Sequence, residues 1–264
     1  MFKNTIISLL ISFIFSHNSN AQSRLAHEIG IIAGPISFKS DYGQRDDFST
    51  NAGNTGFGIG LVHFLNFSYN SRRENYFNEH FKVRSEISFN KTNLEHFGAT
   101  VDGNPKSIGV KQLKAMSGKS TLANIGFQLE YSPFMRIHAY ENTVGGFSPY
   151  VSIGAQFSYY NTKVSSTLGP LGNTATTFPK YLTPSDGHQY GFSSQSGTVL
   201  SVTYGAGVHY KLAPLHDLLF EARFQYYNSD WIDGLNPNKN IYKENKSNDN
   251  QIWFNFGYVY YLDF

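Results

Sequence analysis

The chain ends NQIWFNFGYVYYLDF, residues 250–264. Every second residue here is large and apolar: Ile252, Phe254, Phe256, Tyr258, Tyr260, Leu262 and Phe264. Strict alternation puts all seven on one face of a β-strand, because successive side chains point to opposite faces. A polar, frayed terminus would not need such a face. The tail therefore reads as a strand that closes a sheet.

Seven further segments repeat the period of two. With the tail they lie at residues 28–38, 55–69, 79–90, 121–131, 148–160, 198–212, 217–227 and 251–264. In the third segment Phe81, Val83, Ile87 and Phe89 oppose Lys82, Arg84, Glu86 and Ser88. In the seventh, Leu218, Phe220, Phe224 and Tyr226 oppose Glu221, Arg223 and Gln225. No helix-period stretch of comparable length occurs beyond the N-terminus.

A soluble barrel would turn the apolar faces inward, and a membrane barrel would turn them toward lipid. Three features select the membrane. The polar faces combine Gly and Ser with charges of both signs, as a narrow lumen requires. Most segments run about 11 to 15 residues, long enough for a tilted membrane strand and well above the ordinary strand mean of about 5 to 6. Aromatics gather toward segment ends, at Tyr69, Tyr131, Tyr159 and Tyr226, where interfacial girdles belong. The connections alternate longer and shorter, with 132–147 the least turn-like of the short set. That rhythm fits periplasmic termini, short periplasmic turns and long outer loops. The expected fold is an eight-stranded antiparallel up-and-down transmembrane β-barrel with long outer loops.

Composition narrows the function classes. The 264 residues carry 21 Lys and Arg against 19 Asp and Glu, which argues against nucleic acid as a partner. Charged residues are only 15%, against about 25% in ordinary soluble domains. With no cysteine, disulfides, thiolate chemistry and Cys-bound zinc are excluded. No cofactor or metal is expected. Residues 1–21 read as a cleaved signal peptide: Lys3, an apolar run too short to span a bilayer, then Ser19 and Ala21 before a mature chain at 22–264.

The tail resembles the C-terminal recognition signal of small Gram-negative outer-membrane barrels. Gly257, Tyr260 and Leu262 match its spacing, and Phe264 supplies the terminal aromatic. The resemblance implies an outer-membrane location and engagement of the barrel assembly machinery through Gly257, Tyr260, Leu262 and Phe264. It further implies contact with outer-membrane lipids and lipopolysaccharide. The Tyr- and Asn-rich composition with the NAQ processing site suggests the Bacteroidota.

Strand parity points nine charged residues inward: Glu28, Lys82, Arg84, Glu86, Glu130, Lys211, Glu221, Arg223 and Asp263, with His209 beside them. An eight-stranded barrel is just filled by side chains, so these charges must pair and plug the lumen. The expected role is non-enzymatic: surface-loop interaction with a protein or glycan ligand, envelope integrity, or accessory work. The alternatives are a barrel enzyme acting on lipid A or peptides, and a narrow pore. An enzyme would draw on His63, His80, His96, His188, His209 or His216. His63 stands out because its parity places it among the lipid-facing Phe57, Ile59, Leu61, Leu65 and Phe67, unless a bulge turns it inward or it lies near an interface where it could touch lipid A.

Two glycine motifs resemble nucleotide loops without meeting their requirements. Gly56, Gly58 and Gly60 fall inside a strand, where they make room on a crowded inner wall. SGKST at 117–121 has Leu113 where a phosphate loop needs glycine, and its lead-in reads as a short helix or ordered loop. Residues 91–120 and 160–197, polar with interspersed aromatics, are expected as solvated outer loops.

Overall fold

The computed structural model describes residues 25–44, 47–69, 75–104, 106–245 and 247–262. Eight strands close into one antiparallel barrel in the order of the chain. They are β1 (Ala26–Lys39), β2 (Thr55–Asn66), β3 (Phe81–Glu95), β4 (Met116–Tyr131), β5 (Phe147–Ser166), β6 (Ser196–Ala213), β7 (His216–Tyr227) and β8 (Asn250–Leu262). Among the described residues the connections hold five short α-helices, α1 (Phe48–Gly53), α2 (Tyr76–His80), α3 (Ala99–Asp102), α4 (Ile108–Ala115) and α5 (Ile137–Glu141), and a 3-10 turn at Pro179–Leu182. Residues 1–21, expected as a signal peptide, and Asp263 and Phe264 lie outside the described residues.

The tail closes the barrel. β8 pairs with β1 from His27↔Leu262 to Lys39↔Asn250, leaving no open sheet edge. Pairing lapses only opposite Gly34 and Pro35, where proline has no N–H to give. Trp253, buried inside, donates its indole N–H to Gly34 O at 3.2 Å across this seam. That ring explains Gly58, since a Cβ there would lie 2.8 Å from Trp253 Cζ2.

Along the middle of the barrel the outer wall is apolar, while the inner wall is charged and polar except for an apolar patch that includes Ile32, Val62, Phe64, Leu219 and Val259. On β3, Val83, Ser85, Ile87 and Phe89 face out while Lys82, Arg84, Glu86 and Ser88 are buried inside. The outward rows between Phe81 and Phe89 cover roughly 27 Å of strand, or a little over 20 Å of height at a tilt of about 40°. That approaches the apolar band of a membrane barrel. Charges inside and hydrocarbon outside reverse the order of a water-soluble barrel, so this wall is built to face lipid.

Beyond Phe89 the order flips. On β3 to β5 the outward residues become Lys91, Asn93, Lys119, Ser117 and Lys163, while Leu94, Leu122 and Tyr160 point inward and are buried. Above the apolar band the barrel is patterned like a soluble one, with water outside and an apolar core inside. This inversion makes β3 to β6 longer than expected: β4 begins at Met116 and β5 runs to Ser166. Hence the lead-in to SGKST is helical only as far as Ala115, and Ser117–Thr121 is strand. Tyr69, by contrast, lies past the end of β2.

Candidate functional site

The interior is organised around two arginines. Arg84 on β3 and Arg223 on β7 stand four strands apart, on opposite walls of the eight-stranded bore. Arg84 Nη2 donates to Glu221 Oε1 at 2.8 Å, and Arg223 Nη1 reaches back to Glu86 Oε2 at 2.7 Å. Two ion pairs therefore cross the full diameter in opposite directions. Arg84 also contacts Glu130 at 2.9 Å, and Arg223 also holds Glu221 at 2.7 Å. Ser152 and Asn255 donate to the Glu221 carboxylate at 3.1 and 3.0 Å, and Gln156 donates to Glu86 at 3.1 Å. Buried charges are tolerated when paired and hydrogen-bonded on their remaining lone pairs; Glu86 and Glu221 meet that condition, while Arg84 Nε finds no acceptor among the described residues.

A second group lies toward the end that carries the termini. Lys82 Nζ donates to Glu28 Oε1 at 2.7 Å. Lys211 Nζ lies 3.1 Å from Asp217 Oδ1 and 3.5 Å from the centroid of the Tyr261 ring, whose hydroxyl donates to Asp217 at 2.7 Å. His209 Nε2 contacts Glu130 at 3.2 Å. Eight of the nine inward charges named from parity thus sit in the lumen, and Asp263 is outside the described residues.

Two acids belong here that the strand reading did not name. Asp217 shares the inward parity of Glu221 and Arg223 on β7, so the alternation itself was sufficient to find it. Glu141 comes from α5, folded into the barrel mouth, where Asn66 and Ser68 donate to it. No strand period could have placed it. Burial raises the Glu141 carboxyl above its ordinary value, with the nearby Lys82 opposing the shift. Beside it Tyr140 and Ile137 are buried, so the helix stoppers this end. The long 132–147 connection is thus a plug rather than a loose turn.

The opposite mouth is closed by the loops. Residues 228–245 dip inward and bury Ile232 and Leu235. Ser120 and Thr162 on the inner wall donate to Ile232 O at 2.6 and 3.1 Å. Asp249 accepts from Ile232 N and Asp233 N, and Asp233 accepts from Leu235 N and from Asp41 N. Tyr181, from the 167–195 connection, is buried and donates to Asp41 O at 3.2 Å. The expectation of solvated loops is corrected here. Phe38, Tyr42, Leu94, Tyr181, Ile232 and Leu235 share one apolar cluster, because the inverted strand ends offer these loops a hydrophobic floor.

The cap carries two titrations of opposite sign. Burial, aided by Lys180, lowers the His96 imidazole from 6.5 to about 3, while its Nδ1 accepts from Gly43 N at 3.0 Å. Burial and the neighbouring Asp249, Asp41 and Asp230 raise the Asp233 carboxyl well above its ordinary range. Neutral His96 thus stabilises the cap fully above pH 6.5, and its contribution is lost as pH falls from there toward 3. Protonated Asp233 contributes at low pH and is lost as pH rises through its raised value. We expect amide exchange at Gly43, corrected for its intrinsic pH dependence, to accelerate below pH 6.5. In His96→Gln, which keeps an acceptor but cannot titrate, the acceleration should vanish. The same acid response in the variant would contradict the assignment.

Comparison with known proteins finds likeness in the fold alone. No family model matches the chain, and no curated protein sequence does. Small outer-membrane proteins share its shape. Ail of Yersinia pestis, solved with the heparin analogue sucrose octasulfate, is 16% identical, with 90% of this chain and 99% of that one covered and a TM-score of 0.42. Neisserial surface protein A is 14% identical over 89% and 96% of the two chains, TM-score 0.44. A major outer membrane protein of Thermus thermophilus is 12% identical over 90% and 99%, TM-score 0.49. The barrel assignment rests on the strand pairing of this chain.

The remaining histidines are engaged individually. His80 Nδ1 bonds Ser132 O at 2.6 Å, and His188 packs on Trp231 with centroids 4.2 Å apart and the rings tilted by 39°. His216 contacts the Tyr258 hydroxyl. At the loop end His96 and His188 thus meet a backbone N–H and an indole, where an acyl-transfer site would need a nucleophile in hydrogen-bond reach. Among the described residues no group of three or more His, Asp or Glu is arranged to hold a metal ion. His63 points outward, and the register of β2 with both neighbours is unbroken, so no bulge turns it in.

Proposed function

We propose that the protein is a non-enzymatic integral barrel of the outer membrane, exported through cleavage of residues 1–21. Its termini and the α2 and α5 connections lie in the periplasm, and the folded cap faces outward. Its role is to present that cap as a rigid contact surface for a protein or glycan partner and to reinforce the envelope. The observation that carries this reading is the pair of ion bridges crossing the bore between β3 and β7, with both mouths stoppered. A barrel so filled has its exposed surfaces, and not its lumen, available for function.

The orientation draws support from the exterior just beyond the apolar band. Lys119 on β4 is directly opposite Lys163 on β5, and Lys91 is the diagonal neighbour on β3. Like charges directly opposite on a sheet are unfavourable unless an anion lies between them. Lipopolysaccharide phosphates at the outer leaflet would supply that anion. Gly257, Tyr260 and Leu262 remain the proposed assembly signal, with Phe264. The composition and processing site favour a source in the Bacteroidota.

Orientation is tested by epitope tags. A tag at Asn173, in the 167–195 connection, should bind antibody on intact cells. One in the turn at Pro214 and Leu215, just past Ala213, should bind only after the outer membrane is permeabilised. Reversed accessibility would invert the proposed topology.

A further inference from the structure

The lipid-facing wall carries a polar pair near the strand ends that bear the termini. His27 and His63 lie side by side on the outside of β1 and β2, with ring centroids 5.2 Å apart and a hydrogen bond of 3.0 Å between His27 Nδ1 and His63 Nε2. Ser85 is directly opposite His63 on β3 and is the shortest outward side chain of that strand. The low floor at Ser85 opens a groove of about 610 Å³ in the wall, bounded by Ile31, Leu61, Ile87, Phe127 and Tyr258 and reaching His63. That is within the range of small-molecule sites, roughly 300–1,000 Å³.

The placement is unusual for a wall selected to face hydrocarbon. Polar side chains in lipid are costly unless they find a partner, and the bond to His27 uses only the Nε2 of His63. His27 is the second residue of β1, and His63 is three short of the end of β2, so the pair sits near the periplasmic ends of the strands. A lipid standing in that leaflet would bring its phosphodiester to the level of the imidazoles and its acyl chains into the groove above them. With Nε2 bonded to His27, His63 keeps Nδ1, and an N–H there suits a phosphate oxygen.

We infer that this groove is a binding site for one glycerophospholipid of the periplasmic leaflet, with His63, steadied by its bond to His27, holding the phosphate and the groove seating an acyl chain. The inference goes beyond the proposed function and borrows from it only the orientation, which names the leaflet. It replaces the expectation that His63 could touch lipid A, since lipid A belongs to the leaflet at the opposite strand ends.

The test uses the full folded chain in detergent, titrated with phosphatidylethanolamine, phosphatidylglycerol, diacylglycerol or lipopolysaccharide and read by native mass spectrometry. Wild-type protein should retain one copy of either phospholipid with at least tenfold tighter binding than diacylglycerol. In His27→Leu/His63→Leu that preference for a phosphate should vanish, while Ser85→Leu should weaken all diacyl lipids by filling the floor. Both variants place apolar side chains on a lipid-facing strand, and heat-modifiable gel migration verifies their folding. If the double variant does not fold, Ser85→Leu and the wild-type comparison with diacylglycerol decide alone. Equal retention of diacylglycerol by wild type would overturn the inference. So would undiminished binding in both variants, lipopolysaccharide binding lost in both in place of phospholipid, or a dimer that covers the groove. Failure of the epitope topology with retained phospholipid preference would change the leaflet and leave the site standing.

Discussion

Replacing Arg223 by alanine should lower the stability of the folded barrel by about 3–5 kcal/mol, the usual cost of removing one partner from a buried ion pair. Arg223 is fully interior and is shared by Glu86 and Glu221. After the substitution Glu221 keeps Arg84, Ser152 and Asn255, but Glu86 keeps only the amide donors Gln156 and Gln128. Most of the loss is thus the cost of an orphaned Glu86 carboxylate. A double substitution checks that attribution. Arg223→Met with Glu86→Leu removes the orphan together with its partner, and apolar replacements of buried pairs are often near neutral. Urea unfolding in lipid vesicles should show a large drop for Arg223→Ala and recovery of much of it in the double variant. Equal losses in the two would mean that Arg223 acts chiefly by packing on Trp253, whose ring lies 5.2 Å from its guanidinium carbon.

Deleting residues 258–264 should abolish folding altogether. Val259 and Tyr261 pair with Gly30 and Glu28 on β1, while Tyr258 and Tyr260 pair with Leu218 and His216 on β7. Without them the sheet opens where hydrocarbon surrounds it, and each bare N–H or C=O costs several kcal/mol. Tyr261 also supplies the hydroxyl on Asp217 and the ring against Lys211, so the lower ion pairs lose a wall. Changing Phe264 alone to a polar residue should slow assembly and leave the folded barrel nearly as stable, since assembly recognition and closure are separate demands on the tail. Gel migration without boiling separates the outcomes. A truncated chain that still gave the folded band would refute closure by β8.

The barrel was legible because its alternation is strong wherever lipid meets one face and charge the other. Lys82, Arg84, Glu86, Glu221 and Arg223 could be placed by counting in twos. The ends of β3 to β6 beyond the apolar band were not legible, because at Lys91, Lys119 and Lys163 the same strands exchange their polar and apolar faces. A reader following one pattern loses them where the solvent changes. Asp217 was within reach of parity, whereas Glu141 and Tyr140 reach the mouth through a helix whose docking no period records. Tyr181 and Ile232 looked like loop residues because their hydrophobic floor is assembled from distant strand ends.

Whether side chains close the bore is read out by single-channel recording of the folded protein in planar bilayers. Arg84, Glu86, Glu221 and Arg223 cross the lumen between two stoppered ends, so wild type should give a flat baseline. Stable, reproducible open channels from folded wild-type protein would contradict it.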